Sequence, residues 1–190
     1  MRSGWFSSAG RSRTIGRVKN LRLLNLAGFL ACAALLGYAY YSQFVLGLEP
    51  CPLCIFQRIG IFSVGVVFLV AAAHGARDWG RYVYGVLIGI ASLATVGVSA
   101  RHLWVQAQPA GSVPSCGAPL DVLWQFTPVF EVIRKVLTGG GECQEVNWRL
   151  LGLAMPAWVL IAAVALGVFG VLVNVRRGGG VRALKFATRS

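Results

Sequence analysis

Four long apolar runs divide the chain, and each is long enough to cross a lipid bilayer. They cover residues 23–46, 55–73, 82–100 and 153–175. A transmembrane helix needs roughly 20 such residues. None of the runs contains an acidic residue, and Arg58 is the only charge inside them. The pattern predicts an all-α integral membrane protein, a bundle of four transmembrane helices.

A further helical pattern lies in the long link between the third and fourth runs. Its apolar positions recur at helical spacing, at Leu120, Leu123, Phe126, Phe130, Ile133 and Leu137. Pro128 interrupts or kinks this helix, because proline lacks the N–H that a helix interior needs. The segment predicts a short horizontal amphipathic helix on the membrane surface.

Composition supports a membrane protein over a soluble one. The mean hydropathy is +0.67, and 56% of residues are hydrophobic while only 13% are charged. Soluble domains carry about twice that charged fraction. The lipid bilayer is therefore the expected solvent of most of this chain.

The formal net charge of +12 is concentrated at the two ends of the chain. Residues 1–22 and residues 176–190 are basic and contain no acid. We expect the first segment to be irregular and to lie against anionic lipid headgroups. Because the excess charge is terminal, it does not indicate binding of nucleic acid.

The charge distribution also predicts the topology. By the positive-inside rule both termini are cytoplasmic, and the outward links are residues 47–54 and 101–152. The chain is thus divided into a basic segment at 1–22, a transmembrane domain at 23–175 and a basic tail at 176–190.

Four of the five cysteines fall in the two outward links: Cys51, Cys54, Cys116 and Cys143. The Cys-x-x-Cys spacing of the first pair suits reversible redox exchange. Structural disulfides and a four-thiolate zinc site are the alternatives. Spacing favours redox exchange but leaves all three open. Cys32 lies within the first apolar run and is expected to be a buried, inert thiol.

Local sequence predicts how the first pair is presented. Pro50 and Pro52 bracket Cys51, so the second helix is expected to begin near Cys54. A helix N-terminus favours a thiolate there. Arg58 lies one turn further along, either as a cation beneath that thiolate or as an interfacial arginine reaching the headgroups. His102, at the outer end of the third run, is either an exposed interfacial residue or a ligand contact.

The order of these motifs resembles one family. Cys51-Pro-Leu-Cys54-Ile-Phe-Gln-Arg58 precedes an apolar run, Cys116 and Cys143 follow in the long link, and Leu151-Gly-Leu-Ala-Met-Pro-Ala-Trp158 opens the last run. Together they resemble DsbB, the quinone-dependent disulfide bond formation proteins of the bacterial inner membrane. The resemblance covers about residues 20–176.

This resemblance implies a thiol:quinone oxidoreductase with its cysteine pairs in the periplasm. The expected cofactors are ubiquinone or menaquinone and two redox-active disulfides, Cys51–Cys54 and Cys116–Cys143. A periplasmic thioredoxin-like DsbA-type protein is the expected partner and attacks Cys116. Cys143 then exchanges with Cys51, and Cys54 faces the quinone. Arg58 and His102 correspond to residues near the quinone, and neutral Gln57 stands where family members can carry an acid.

Two other interpretations compete with this one. A vitamin K epoxide reductase-like protein also sets a Cys-x-x-Cys beside a quinone, but Met155-Pro-Ala-Trp158 and the loop order favour DsbB. A disulfide-stapled membrane scaffold or a metal-handling protein without redox turnover is the alternative from another functional class.

Overall fold

The computed structural model describes residues 6–75, 79–109, 111–113, 125–138, 143–144 and 149–175. Four long helices dominate the described chain: α1 (Phe6–Phe44), α2 (Pro52–His74), α3 (Trp79–Gln106) and α5 (Met155–Val175). A short helix, α4 (Val129–Thr138), and a small hairpin of β1 (Arg149–Leu150) and β2 (Leu153–Ala154) lie between α3 and α5. The basic tail at 176–190, residues 76–78 and Cys116 lie outside the described residues.

The four predicted transmembrane helices are confirmed by length and composition. The segments able to cross a membrane are Asn20–Phe44, Pro52–His74, Trp79–Gln106 and Met155–Val175. Large apolar side chains such as Phe62 and Leu93, 60% and 71% exposed, lie on the outside of the bundle. Lipid tails can cover such faces at no desolvation cost, whereas water cannot.

The first helix is longer than predicted. It begins at Phe6, so the expectation of an irregular basic segment is wrong for residues 6–22. Arginine, lysine and leucine are good helix formers, and a helix already begun adds residues at little cost. Hydropathy does not detect this extension because the added residues are polar.

Close helix contacts in the bundle depend on small residues. The α1–α2, α2–α3 and α3–α5 pairs make the main interfaces. A side chain at Gly60 would collide with Thr95, and one at Gly170 would collide with Ile88 and Phe68. Small residues at such positions let helix backbones approach, which is how membrane helices gain packing energy.

A buried amide pair joins the first and last helices. Asn25 and Asn174 are each 2% exposed and exchange two hydrogen bonds, of 3.3 and 3.0 Å. Each amide also donates to a carbonyl in its own helix, that of Leu21 or Gly170. The pair satisfies polar groups that would be costly if left alone in hydrocarbon.

Two apolar clusters fill the bundle. The inner one consists of Cys32, Ile61, Val64, Phe68, Ile88, Ala163 and Leu166. The outer one consists of Leu53, Val105, Val113, Val132, Val136 and Cys143, with Cys51 packed against it. Cys32 is 1% exposed, as expected of a buried thiol. Cys51 and Cys143 therefore belong to a packed outer cluster and not to an open loop.

The predicted short helix is present, but it buries a different face. α4 begins directly after Pro128 and turns Val132 and Val136 inward, while Phe126 and Phe130 are 81% and 78% exposed. In the described part of the expected apolar stripe, Phe126, Phe130 and Leu137 thus lie on the outer face, available to the membrane surface. Contact with α2 and α3 determines which valines are buried. The pattern of apolar residues along the chain carries no information about that contact.

A tight hairpin precedes the last helix, which starts at Met155 and not at residue 153 as predicted. Arg149 pairs with Ala154 and Leu150 with Leu153. Leu151 and Gly152 form the turn with φ of 53° and 81°. Two residues with positive φ match the turn type that joins paired strands most directly.

Candidate active site

Cys51 caps the second helix and Cys54 lies in its first turn. The backbone of Cys51 is extended, with φ −67° and ψ 163°, as expected for a residue before proline. Pro52 takes the first helical position, where its missing N–H leaves no bond unmade. The helix therefore begins two residues before the predicted Cys54, and both sulfurs lie at its outer end.

Cys51 is the centre of the thiol cluster. Its sulfur is 3.2 Å from that of Cys54 and 3.7 Å from Nε2 of His102. The thiol of Cys143, from the long outer link, also interacts with this sulfur, and Cys51 packs against the apolar cluster that contains Cys143. All of these cysteines are free thiols in the structure. A change in side-chain torsions can bring Cys51 to the about 2.05 Å of a disulfide with either neighbour.

His102 is buried against this cluster and is only 2% exposed. Of the two alternatives for His102, an exposed interfacial residue is therefore excluded, and its contact with a ligand stays a prediction. The Gln57 amide nitrogen lies 3.4 Å from its Nδ1, and the Gln106 amide nitrogen lies 3.5 Å from its Nε2. Neither glutamine was selected from the sequence as a site residue. The sequence did offer one indication that Gln57 contributes to the site: it is a polar residue on the same helical face as the apolar residues Leu53 and Ile61, which are buried.

Apolar side chains surround Cys143, and part of this cover, called the lid below, is the helix α4. It is 1% exposed and packs with Leu53, Val105, Val132 and Val136. Two of these valines come from α4, so the short helix covers the side of the cluster where Cys143 meets Cys51. Exclusion of water there strengthens every electrostatic interaction among the sulfurs.

Arg101 fastens the lid to the third helix. Its guanidinium donates to the carbonyls of Leu137 and Thr138, at 2.8 and 3.0 Å, and lies 4.3 Å from the Trp104 ring. Those carbonyls end α4 and have no partners within the helix. A cation there also complements the negative end of the helix dipole.

Arg58 faces the first helix. Its guanidinium donates to Oε1 of Gln43 and, at 3.0 Å, to the carbonyl of Ala39, and it lies 5.2 Å from the Tyr40 ring centroid. These contacts hold a half-buried cation between α1 and α2, one turn below Cys54. The alternative of an arginine that simply extends to the headgroups does not account for these bonds.

The contacts among the thiols determine which sulfur carries negative charge most favourably. Hydrogen bonds from Cys143 and then Cys54 hold the pKa of the Cys51 thiol well below its usual range, with burial opposing them and His102 adding to them. The hydrogen bond to Cys51, followed by burial, raises the pKa of the Cys143 thiol. In the fully reduced cluster negative charge is thus favoured at Cys51 over Cys143, whereas the helix N-terminus alone pointed to Cys54.

This assignment predicts how alkylation of reduced Cys51 depends on pH. We expect the midpoint to lie below the about 8.5 of a free cysteine, because the thiolate persists as pH falls. Cys143→Ala should raise the pH midpoint of alkylation, because it removes the interaction that lowers the pKa of Cys51 most. Iodoacetamide labelling followed by mass spectrometry measures it, with Cys32→Ala as the control. A midpoint that Cys143→Ala leaves unchanged would contradict the assignment.

The structure thus brings together three of the four predicted outer cysteines and His102, with Arg58 on the adjoining helix. Cys116 lies outside the described residues, so its contacts stay a prediction.

Comparison with known proteins agrees with this arrangement. The family model described as "Disulfide bond formation protein DsbB" matches residues 21–173. Proteins named disulfide bond formation protein B are similar over most of the chain. The one from Xanthomonas oryzae pv. oryzae is 53% identical over 145 residues, 76% of this chain and 84% of its own. The one from Nitrosococcus oceani is 43% identical over 165 residues, 87% of this chain and 98% of its own.

Proposed function

Because the chain belongs to the DsbB family of disulfide bond formation proteins, we propose that it is a thiol:quinone oxidoreductase of the bacterial inner membrane. In this proposal it reoxidises a periplasmic DsbA-type dithiol protein and passes the electrons to membrane quinone. The cysteine pairs face the periplasm and both termini face the cytoplasm. The observation that carries the proposal is the position of Cys51, whose sulfur contacts both Cys54 and Cys143.

The relay begins at the outer pair. A thiolate of the reduced partner attacks Cys116 in a Cys116–Cys143 disulfide and displaces Cys143. Cys143 then attacks Cys51 in a Cys51–Cys54 disulfide, forming Cys51–Cys143 and releasing Cys54 as a thiolate. The second thiol of the partner attacks the mixed disulfide, so the partner leaves oxidised and Cys116 is left reduced. Each step breaks one S–S bond and forms one, as thiol–disulfide exchange requires.

The chain's own groups support the middle step. Cys51 already packs against the cluster that contains Cys143, so the two sulfurs need only a local rearrangement before they react. His102, whose Nε2 is 3.7 Å from the Cys51 sulfur, can stabilise negative charge that develops on that sulfur. The lid of α4 excludes water from the exchange.

The residues around Arg58 fit a quinone. An apolar groove of about 660 Å³ runs between α1 and α5, lined by alanines with Tyr38 and Phe169. Tyr38, at the outer end of the groove, directly precedes Ala39, whose carbonyl accepts a bond from Arg58. The groove suits an isoprenoid tail, and Arg58 would hold the polar ring near Cys54. A bound ubiquinone or menaquinone supplies the acceptor for two electrons and two protons, which restores both disulfides.

An anaerobic mixing experiment tests the proposal. Purified protein with bound ubiquinone is mixed with a reduced periplasmic dithiol oxidase, and quinone absorbance is followed together with partner oxidation. We expect one quinone to be reduced for each partner molecule oxidised. Cys54→Ser should reduce no quinone, because a serine hydroxyl cannot act as the thiolate electron donor. Cys32→Ser serves as the matched control and should behave as wild type.

An unchanged quinone absorbance in wild type, with the four outer cysteines still bridged, would contradict the relay. That result would instead support a disulfide-stapled scaffold. Quinone reduction by Cys54→Ser at the wild-type rate would leave the activity but remove the role proposed for Cys54.

A further inference from the structure

The reduced site resembles a soft-metal site as much as a redox site. The sulfurs of Cys51 and Cys54 and a ring nitrogen of His102 all lie within 4.8 Å of one another. Cys143 belongs to the apolar cluster against which Cys51 packs, but its sulfur lies outside this group of three. From spacing alone zinc was disfavoured, because only one cysteine pair has ligand spacing. The fold adds His102 to that pair and places Cys143 nearby.

The distances are close to those of a tetrahedral zinc centre. Zn–S bonds of about 2.3 Å and Zn–N bonds of about 2.0–2.1 Å place two sulfur ligands about 3.8 Å apart and a sulfur and a nitrogen about 3.6 Å apart. The corresponding distances are 3.2 Å between Cys51 and Cys54 and 3.7 Å between Cys51 and His102 Nε2. Small side-chain rotations therefore suffice to accommodate the ion.

The chemistry of the donor set is selective. Thiolates and imidazole favour Zn²⁺ and similar soft ions, whereas Mg²⁺ and Ca²⁺ require oxygen ligands. The metal-type cluster found among the described residues contains no carboxylate.

Gln57 is in position to orient the ring of His102. The side-chain amide of Gln57 is 3.4 Å from Nδ1 of His102 and is itself 3% exposed. A half-turn of the amide presents its oxygen to an Nδ1–H, which leaves Nε2 free to bind metal on the Cys51 side. Metal-binding histidines nearly always have such a partner on the second nitrogen.

We propose that the reduced form of this site binds one Zn²⁺ through Cys51, Cys54 and His102, with Cys143 completing the four ligands after a movement of its side chain. Each coordinating thiol releases its proton as it binds, so no electrons are transferred. A Cys51–Cys54 disulfide lacks the thiolates, so zinc binding and oxidation exclude each other. If the proposed relay operates, micromolar zinc would hold it in the reduced state and inhibit it; the binding itself does not depend on the relay.

Metal titration of the full-length protein in detergent tests the proposal without quinone or partner. The protein is reduced anaerobically with a phosphine, desalted and titrated with Co²⁺, whose thiolate charge-transfer and tetrahedral d–d bands report the ligands. Zn²⁺ then displaces Co²⁺ in competition with a chromogenic chelator. We expect one ion for each reduced protein and none for protein oxidised at Cys51–Cys54.

Variants separate this site from other thiols. Cys54→Ser and His102→Ala should each weaken Zn²⁺ binding by at least about 100-fold, and Gln57→Leu by about 10- to 100-fold, the usual loss for an outer-shell partner. Cys32→Ser should bind as wild type. Equal binding by oxidised and reduced wild type overturns the proposal, and so does wild-type affinity in both Cys54→Ser and His102→Ala. The comparison of redox states requires no variant, so misfolding cannot mask the result.

Discussion

Cys51→Ser is expected to abolish turnover while leaving the first exchange with the partner intact. Of the described cysteines, Cys51 is the one that contacts both Cys54 and Cys143. Its loss therefore separates the outer pair from Cys54, because a hydroxyl cannot form a disulfide. We expect the steady-state rate of quinone reduction to fall by at least about 1,000-fold, as when a nucleophile is removed from other enzymes.

The retained half-reaction can be measured separately. A partner protein with its second cysteine replaced by alanine should form a mixed disulfide at Cys116 in both wild type and Cys51→Ser, seen on non-reducing gels. Cys32→Ser, a buried thiol in the first helix, is the matched control for loss of one sulfur. Turnover by Cys51→Ser above about a tenth of the wild-type rate would mean that Cys143 reaches Cys54 without Cys51, which contradicts the proposed order.

Arg58→Ala is expected to slow quinone reduction by about 100-fold without slowing exchange with the partner. A fixed cation beside a reacting group typically contributes about 10²–10³ in rate by stabilising developing negative charge. Arg58 is fixed by two acceptors on the first helix, Gln43 and the carbonyl of Ala39. Arg58→Lys should recover part of the rate, since lysine retains the charge but lacks the planar fork that bonds both acceptors.

Stopped-flow measurement of each half-reaction checks this division of labour. Quinone absorbance reports one half-reaction and partner oxidation reports the other, for wild type, Arg58→Ala and Arg58→Lys. Arg81→Ala is a suitable control, because Arg81 likewise lies over a tyrosine ring, that of Tyr82, but near the start of α3, at the opposite end of the bundle. An equal loss of both half-reactions in Arg58→Ala would show that the arginine supports the fold and not the quinone step.

The position of His102 illustrates a limit of sequence reasoning. The third helix was predicted to end at residue 100 but continues to Gln106. Hydropathy fails there because Arg101, His102 and Gln106 are polar, yet each finds a partner within the fold. Arg101 bonds the end of α4, and His102 meets Gln57 in α2 and Cys51 just before it, which are 45 and 51 positions away in the chain. Such contacts between distant segments leave no periodic signal.

The lid over the cysteines shows the same limit. The spacing of apolar residues predicts a helix after Pro128, and α4 begins there. It does not predict that Val132 and Val136 face the site while Phe130 faces outward. The apolar face of this helix is wide enough to include Phe130 as well as the two valines, so which part of it turns inward depends on the shape of the surface formed by Leu53, Val105 and Cys143.

By itself the sequence determined the four spans, the start of α2 around the prolines and the family, because hydrophobicity, proline geometry and motif spacing are properties of neighbouring residues. Only the tertiary structure decided that Cys51 is the sulfur shared by Cys54, Cys143 and His102, and that Arg58 is fastened to the first helix. Those outcomes depend on helices packing side by side through small residues, which brings side chains from distant parts of the chain within hydrogen-bonding distance.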